Sequence, residues 1–213
     1  MNTTSEFASA SLTVGQLNAI VKKLGGHDAA LKFLRGELIV SEPTLSWREQ
    51  DGVIYLSVTS DGTTGPEWIA RLEKKGFRVS DYAKSVLCSS DFKPTSGITT
   101  EIAILKGMLF EDSNRVTKKI RAEAKSRKLM KPNAEVACLI RENFSDEEIE
   151  AMGLYWIVAM HEPINDSDGD PLLLDAGRIG GGRWLGACYG RPGSGWFRFY
   201  GFAFVVSQVE LNA

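Results

Sequence analysis

The first regular spacing of apolar residues along the chain predicts a helical hairpin. Apolar positions recur every three or four residues across residues 12–24, which is the period of a helix with one buried side. Thr13 stands where an N-cap is expected, and Gly25-Gly26 interrupts the pattern. Residues 27–35 resume the helical spacing. We therefore expect two short helices joined by a glycine turn.

The pattern then changes to that of a strand and back to that of helices. The period changes across residues 47–60, where Val53, Tyr55 and Leu56-Ser57-Val58 indicate a strand, and Ser60-Asp61-Gly62 forms a turn. Pro66 opens a predicted helix that Gly76 ends, and Ser80 caps another short helix.

A polar stretch with one proline and one glycine, residues 89–97, is the best linker candidate in the chain. We place a domain boundary there. This gives a small, mainly helical or α/β module at residues 1–95 and a second domain at residues 98–213.

The second domain contains segments with the hydrophobic period of helices and segments with that of strands, so the expected fold class is α+β. Lys131-Pro132-Asn133 separates two of its helices, and Ser145 begins the capping sequence of a third. The predicted elements are strand 99–110, basic helix 116–128, helix 134–142, buried strand 154–160 and closing strand 202–207.

Composition narrows the class of protein. The 213 residues are 43% hydrophobic and 24% charged, with a formal net charge of −2, as in ordinary globular proteins. Disorder requires fewer apolar residues and more net charge. No chain-wide positive field favours nucleic acid or an anionic membrane as a partner. No apolar run approaches the roughly 20 residues of a membrane-spanning helix.

Cysteine and histidine content indicates a reducing compartment and gives no indication of a metal site. Three widely spaced cysteines do not make a disulfide framework, and two histidines leave few zinc ligands. The N-terminus lacks the basic and apolar regions of a signal peptide. We expect a cytoplasmic protein without metal or cofactor, with display at a cell surface left open.

A glycine-rich and aromatic segment lies near the end of the chain. Residues 177–201 contain nine glycines, and residues 184–204 contain eight of the chain's 20 aromatic residues. Glycine costs a helix about 1 kcal/mol per position relative to alanine, so this composition predicts loops between short strands. One interpretation is a β subdomain whose aromatic residues all lie in the core.

Some of these rings are expected on the surface instead. Phe202 and Phe204 fall on one face of the closing strand and suit a core. Phe197, Phe199 and Tyr200 stand where neighbouring side chains point in opposite directions, so at least one should be exposed. Clustered exposed rings usually mark a binding surface.

The same segment resembles the end of a C-type-lectin fold of the formylglycine-generating-enzyme type. The resemblance rests on a Gly-Gly-x-Trp turn, a loop stretch and a closing Gly-Phe-x-Phe strand. These are residues 181–185, Tyr189-Gly190-Arg191-Pro192, Trp196 and residues 201–206. It covers about residues 98–209, in which residues 117–142 match the helix, Pro-containing break and second helix of this fold class.

More specifically, the segment is similar to the variable proteins of diversity-generating retroelements. In that family an error-prone reverse transcriptase rewrites adenines at the 3′ end of the gene, and Asn-type codons become any codon ending in C or T. Such codons cannot encode Lys, Glu, Gln, Met or Trp. Residues 185–200 contain one of these, Trp196.

The resemblance implies a ligand-binding surface and a fixed frame. The surface would be formed by variable residues, namely Gly186, Cys188, Arg191, Gly193, Ser194, Gly195, Phe197, Phe199 and Tyr200. The frame would be formed by Trp184, Trp196, Phe202 and Phe204. Formylglycine-generating enzymes hold copper with paired active-site cysteines, whereas this segment carries Cys188 alone. We therefore expect a non-enzymatic protein that binds a macromolecule, with a protein as the favoured ligand.

Two other classes of function remain open. An enzyme would use His161, Glu162 and the acidic loop 165–170 in a pocket under the glycine segment. That loop lacks the glycine and glutamate spacing of an EF-hand, which favours a solvated turn over a calcium site.

A DNA-binding regulator would use the N-terminal hairpin or the basic helix. Residues 115–131 contain eight basic residues and one acid, Glu123. The acidic residues at 142–150 are expected to balance this charge, and no aromatic residue is interleaved, so nucleic acid is not favoured as a partner.

Overall fold

A computed structural model describes residues 12–39, 46–179 and 182–207, in two compact units that divide between residues 45 and 46. The first unit contains helices α1 (Val14–Lys23) and α2 (His27–Leu34). Thr13 and Gln16 form a capping box at the start of α1, and Gly25 and Gly26 adopt φ of 99° and 105° in the turn. The predicted helical hairpin is confirmed.

The second unit is built on one mixed sheet. Its described strands, in chain order, are β1 (Trp47–Gln50), β2 (Val53–Asp61), β3 (Arg78–Val79), β4 (Ser96–Lys106), β5 (Leu129–Met130), β6 (Trp156–Ala159), β7 (Ile164–Asn165), β8 (Pro171–Ile179), β9 (Gly182–Tyr189) and β10 (Tyr200–Val206). The order across the sheet is β1-β2-β4-β10-β6-β8-β9-β3. Strands β6 and β10 are parallel, as are β3 and β9, and the other neighbours are antiparallel.

Five helices accompany the sheet in the described part of this unit: α3 (Gly65–Lys74), α4 (Asp81–Leu87), α5 (Thr117–Ser126), α6 (Glu135–Asn143) and α7 (Asp146–Ala151). Ser80 caps α4, and Ser145 with Glu148 forms a capping box at α7, as the sequence predicts. Two short 3₁₀ turns follow β4, at Gly107–Leu109 and at Asp112–Asn114. Across the described residues, no helix combines the length and apolarity needed to cross a bilayer.

The expected α+β class is confirmed. Two details differ from the sequence prediction. The single strand expected at 47–60 is a hairpin, because Asp51 and Gly52 both adopt positive φ, 52° and 74°, and form the tight turn. The apolar run at the start of β8 is a strand that pairs with β9 along its whole length, and the sequence analysis did not assign it.

The domain boundary expected at residues 89–97 is not where the two units divide. Strand β2, before that stretch, pairs with β4, after it, from Val53↔Leu105 to Asp61↔Ser96. Residues 46–95 therefore belong to the same sheet as the rest of the second unit, and they are not a mainly helical module. The polar stretch connects α4 to β4 within one core.

Each face of the sheet carries its own apolar cluster. In β4, Ile102 and Ile104 point into the larger cluster, which also receives residues of α3, α4 and α6. Ala103 and Leu105 point into the smaller cluster with Ile120 of α5. Strand β10 divides in the same way, with Ala203 in one cluster and Phe202 and Phe204 in the other. The predicted core placement of these two rings is confirmed.

A fully buried arginine joins three elements. The Arg141 guanidinium donates to the carbonyl oxygens of Gly177 (2.8 Å) and Phe144 (2.7 Å) and pairs with Asp146 (3.0 Å). It thereby fixes the end of α6 and the start of α7 against β8. Removing any of these partners would leave the buried guanidinium charge without compensation and would destabilise the fold.

Candidate ligand-binding surface

The segment that joins β9 to β10, residues 190–199, is hereafter the 190–199 loop. It is held to the body of the unit at both ends by backbone hydrogen bonds. At its start the Gly190 N–H donates to the Pro171 carbonyl (2.8 Å), and at its end the Phe199 carbonyl accepts from the Tyr155 N–H (3.0 Å). These contacts involve no side chain of the loop.

The middle of the 190–199 loop caps helix α5. The carbonyl of Pro192 accepts from the Lys118 N–H (2.9 Å), and that of Ser194 accepts from the Thr117 N–H (3.1 Å). The first N–H groups of a helix have no partner within the helix, so these carbonyls satisfy donors that would otherwise be unpaired. Gly195 adds a β-bridge to Val116. The loop conformation and the helix start therefore stabilise each other through the backbone.

Trp196 is the side chain that fixes the loop. It is buried in the smaller apolar cluster, and its indole N–H donates to the Thr117 hydroxyl over 3.0 Å. Its ring packs edge-on to Phe202, with centroids 5.7 Å apart. The role expected for Trp196 as part of a fixed frame agrees with this placement.

Five of the nine expected surface positions are exposed: Arg191, Gly193, Gly195, Phe197 and Phe199. Phe197 is 71% exposed and Phe199 43%. A Cβ atom added at Gly193 or Gly195 would meet nothing within 4 Å, and neither glycine has the left-handed φ that would exclude other residues. Larger side chains at these two positions would extend into open space.

Four expected surface positions lie deeper. Gly186 is buried on β9, and a Cβ there would meet the Asp175 carboxylate at less than 3.0 Å and Trp156 at 3.2 Å. The expectation that Gly186 presents a surface is wrong, because its missing side chain is what leaves room for its neighbours. Cys188 is partly buried, and its thiol donates to the Leu173 carbonyl (3.5 Å). Tyr200 is half-buried, and Ser194 is partly exposed.

One member of the expected frame, Trp184, differs from the others in its surroundings. Phe202 and Phe204 are buried on β10. Trp184 is only partly buried, and the Arg78 guanidinium lies over its ring at 5.3 Å. Because Arg78 belongs to β3, which pairs with β9, Trp184 packs at the edge of the sheet.

The second half of the loop forms an exposed aromatic surface, which consists of Tyr155, Phe197 and Phe199. Tyr155 and Phe199 meet edge-on with centroids 5.4 Å apart. Arg178 lies over Tyr155 at 4.7 Å, and Arg198 lies over Phe199 at 5.5 Å. Tyr155 stands 42 residues before Phe197 and 44 before Phe199, and the sequence pattern gave no signal for its part in the surface.

This surface extends towards the 3₁₀ turn Gly107–Leu109. A Cβ on Gly107 would lie 2.7–2.9 Å from the carbonyl oxygens of Phe197, Arg198 and Tyr200, so only glycine allows the turn to approach so closely. Its chain neighbours Met108 and Leu109 are 49% and 41% exposed. Arg191, by contrast, lies near the start of the loop, where it pairs with Asp170 and covers the Tyr189 ring.

A buried carboxyl group lies on β8, beside Gly186 and Cys188 of β9. Asp175 is 5% exposed, and burial raises the pKa of its carboxyl to about 7. Its Oδ1 has no hydrogen-bond partner among the described residues. Desolvation, with repulsion from Asp175 and Cys188 once these groups are ionised, raises the pKa of Tyr200 to about 12.

His161 and Glu162 do not form an acid–base pair. Both ring nitrogens of His161 are occupied, with Nδ1 2.6 Å from the Glu162 carbonyl and Nε2 accepting from the Leu174 N–H (3.0 Å). Burial lowers the pKa of His161 to about 4, so the ring is neutral at pH 7. The Glu162 carboxylate is exposed and pairs with Lys131. This arrangement removes the basis of the enzyme alternative at these residues.

The acidic loop is organised by its own backbone. The Asp166 carboxylate accepts from the N–H groups of Asp168 (3.0 Å) and Asp170 (2.9 Å), and Asp170 pairs with Arg191. In the described part of the chain, no three His, Cys, Asp or Glu side chains are grouped so as to hold a metal ion.

The acidic residues expected to balance helix α5 pair elsewhere. Glu142 pairs with Arg71 and Lys75 of α3 and the residue that follows it, and Glu150 pairs with Arg178. Asp146 is the partner of the buried Arg141. The positive charge of α5 is therefore compensated less than the sequence suggests.

Comparisons with known proteins identify no family for this chain. No family model matches it, and neither the curated proteins nor the solved structures include a significant match.

Proposed function

We propose that this chain is a non-enzymatic binding protein that engages a protein ligand through the side chains of the 190–199 loop. A retroelement diversifies those side chains at the level of the gene. The observation that carries the proposal is the anchoring of the loop by backbone groups and by one buried tryptophan. A loop held in this way keeps its conformation when its exposed side chains change.

The accessible positions support the same proposal. Arg191, Gly193, Gly195, Phe197 and Phe199 alternate along the loop with residues that anchor it, such as Pro192, Ser194 and Trp196. The anchoring contacts of the first set are made by backbone groups alone, so their side chains are free to change. Substitution at the first set leaves every anchoring contact in place.

The order of elements supports a relation to the C-type-lectin fold. Strands β4 and β10, near the two ends of residues 98–209, pair antiparallel from Gly201↔Lys106 to Val205↔Ile102. Helices α5 and α6 follow β4 and are separated by Pro132, as the resemblance implies. We propose this fold for the region on these grounds.

The chemistry of the aromatic surface favours a protein as the ligand. Tyr155, Phe197 and Phe199 offer ring faces and edges to solvent, and Arg178 and Arg198 stand beside them. Aromatic residues and arginine are enriched at protein interfaces and supply most of their binding hot spots. Exposed rings of this kind are costly for a surface that binds nothing.

A display experiment tests the proposal. A yeast-display library of the full chain is randomised at residues 191, 193, 195, 197 and 199 with codons ending in C or T, and it is selected against purified hen lysozyme. A matched library is randomised with the same codons at Trp196, Phe202 and Phe204. We expect the loop library to remain folded and to yield clones that bind lysozyme, while the parent chain does not bind it.

The frame library is expected to lose surface display, because its positions are buried. A nanobody library of the same size, selected in parallel, shows that the selection works. If the nanobody library yields binders and the loop library yields none, or if the loop library unfolds as the frame library does, the proposed function is refuted.

A further inference from the structure

A cavity of about 360 Å³ opens at the start of helix α5, beside Gly190 and Pro192 at the beginning of the 190–199 loop. It is hereafter the α5 cavity. Lys118 and Arg121 contribute its positive charges, Glu162 contributes one carboxylate, and Pro163, Pro171 and Pro192 form much of the wall. Its volume lies within the range of cavities that hold small ligands.

The charge balance of the α5 cavity is positive. Glu162 is already paired with Lys131. Lys118 is exposed and forms no ion pair with any described residue. Arg121, one turn further along α5, likewise has no carboxylate partner within 4.0 Å in the described part of the chain, although Glu162 acts on it at longer range.

The Arg121 guanidinium has at least one N–H donor without an acceptor among the described residues. Its Nη2 donates to the His161 carbonyl over 2.7 Å, which fixes the guanidinium against β6 and the residues that follow it. Its Nε is buried and has no acceptor among the described residues. A guanidinium offers five N–H donors in a rigid fork, and leaving a buried donor unpaired is costly unless a ligand or water satisfies it.

The wall of the cavity is rigid and apolar. Proline fixes its own φ, so three prolines give a surface that needs little ordering when a ligand binds. The Gly190 N–H is bonded to the Pro171 carbonyl and the Lys118 N–H to the Pro192 carbonyl, so these backbone donors are already used. The charged side chains are therefore the groups left to recognise a ligand.

We infer that the α5 cavity binds a small organic anion, with a phosphate or carboxylate held by Arg121 and Lys118 and an apolar body against the prolines. Arginine suits a planar or tetrahedral oxyanion because it can donate two parallel hydrogen bonds, and lysine adds a point charge. This inference does not depend on the proposed role of the 190–199 loop.

Titration of the full-length protein with three probes tests the inference: phenyl phosphate, benzoate and neutral phenol. Binding is followed by the amide resonances of Thr117, Lys118 and Gly190 and by the Arg121 Nε–H resonance in ¹⁵N-labelled protein. We expect saturable shifts at these residues with one or both anions. Phenyl phosphate and benzoate together show which headgroup is preferred.

Charge-removing variants supply the controls. Arg121→Gln and Lys118→Gln are each expected to weaken anion binding by about tenfold or more, since each removes a charge-assisted contact. Lys125→Gln removes the same charge from an exposed position further along α5 and is expected to change the affinity less than about twofold. Lys118 is exposed, so its replacement does not endanger the fold.

Three results would overturn the inference. The first is the absence of saturable shifts with either anion at millimolar concentration. The second is binding of phenol as tight as that of the anions. The third is an equal loss of affinity in all three variants, which would indicate a diffuse charge effect and not a site.

Discussion

Two glycine-to-alanine substitutions distinguish a position at which the fold requires glycine from a position that is free to vary. Gly186→Ala places a Cβ closer than 3.0 Å to the Asp175 carboxylate and 3.2 Å from the Trp156 ring. Gly193→Ala places a Cβ in open space at a backbone conformation that alanine tolerates. Both positions stand within the segment whose residues were expected to vary, so the structure makes opposite predictions for chemically identical changes.

The magnitudes follow from packing. Asp175 is 5% exposed and cannot rotate its carboxyl into solvent, so the added methyl group must displace Trp156 or the strand. Overpacking of this kind costs about 1–3 kcal/mol. For a unit of this size, about 2 kcal/mol lowers the melting temperature by roughly 4–8 °C. Gly193→Ala is expected to change stability by less than about 0.5 kcal/mol.

Urea unfolding followed by tryptophan fluorescence, with thermal unfolding by circular dichroism, measures both variants against the parent. Gly195→Ala serves as a second open position. Equal destabilisation of all three variants, or a cost at Gly193 that matches the cost at Gly186, would refute the division of the segment into anchored and free positions.

Three further predictions concern buried polar groups. Trp196→Phe keeps an aromatic ring but removes the donor to Thr117, and it is expected to cost about 1 kcal/mol in urea unfolding, whereas retention of full stability would show that the bond is dispensable. The fold raises the pKa of Asp175 to about 7 from the ordinary value of 3.8, so stability is lost as the pH rises through this window. Asp175→Asn is expected to become more stable relative to the parent by up to about 4 kcal/mol between pH 4 and pH 8, and a difference that does not change with pH would contradict this. The fold lowers the pKa of His161 to about 4, so the contribution of the neutral ring to folding stability is complete above pH 6.5 and falls as the pH drops towards 4. An NMR titration that finds this ring protonated at pH 6 would contradict the prediction.

Much of the fold could be predicted from the sequence because local signals are strong. Thr13, Ser80 and Ser145 each stand at the N-cap that their residue type and position predict. Phe202 and Phe204 follow the two-residue period of a half-buried strand and lie together in the smaller cluster. In these places the information lies within a few residues of the element that it determines.

Long-range pairing accounts for what the sequence analysis missed. The polar stretch 89–97 has the composition of a linker, and its place inside one sheet becomes visible only when β2 is paired with β4. Similarly, the start of β8 is an apolar run without an alternating pattern. Its strand character depends on β6 and β9 on either side.

In the candidate site, too, local sequence patterns predict some features and long-range contacts determine the others. Exposure of Phe197 follows from the local pattern, whereas burial of Gly186 depends on Asp175 from the neighbouring strand. Tyr155 joins the aromatic surface through β6 and the loop backbone, with no motif to mark it. The backbone capping of α5 by the loop joins residues more than 70 positions apart, and no local pattern could reveal it.

Deep sequencing of the 3′ end of the gene from a growing population of source cells tests the central claim most directly. The account predicts that changes arise at adenine-derived positions in the codons of residues 191, 193, 195, 197 and 199, each of which ends in C or T. The codons of Gly186, Trp196 and Phe202 are predicted to stay constant. Purine third bases at several of the five positions, or changes spread evenly along the gene, would contradict it.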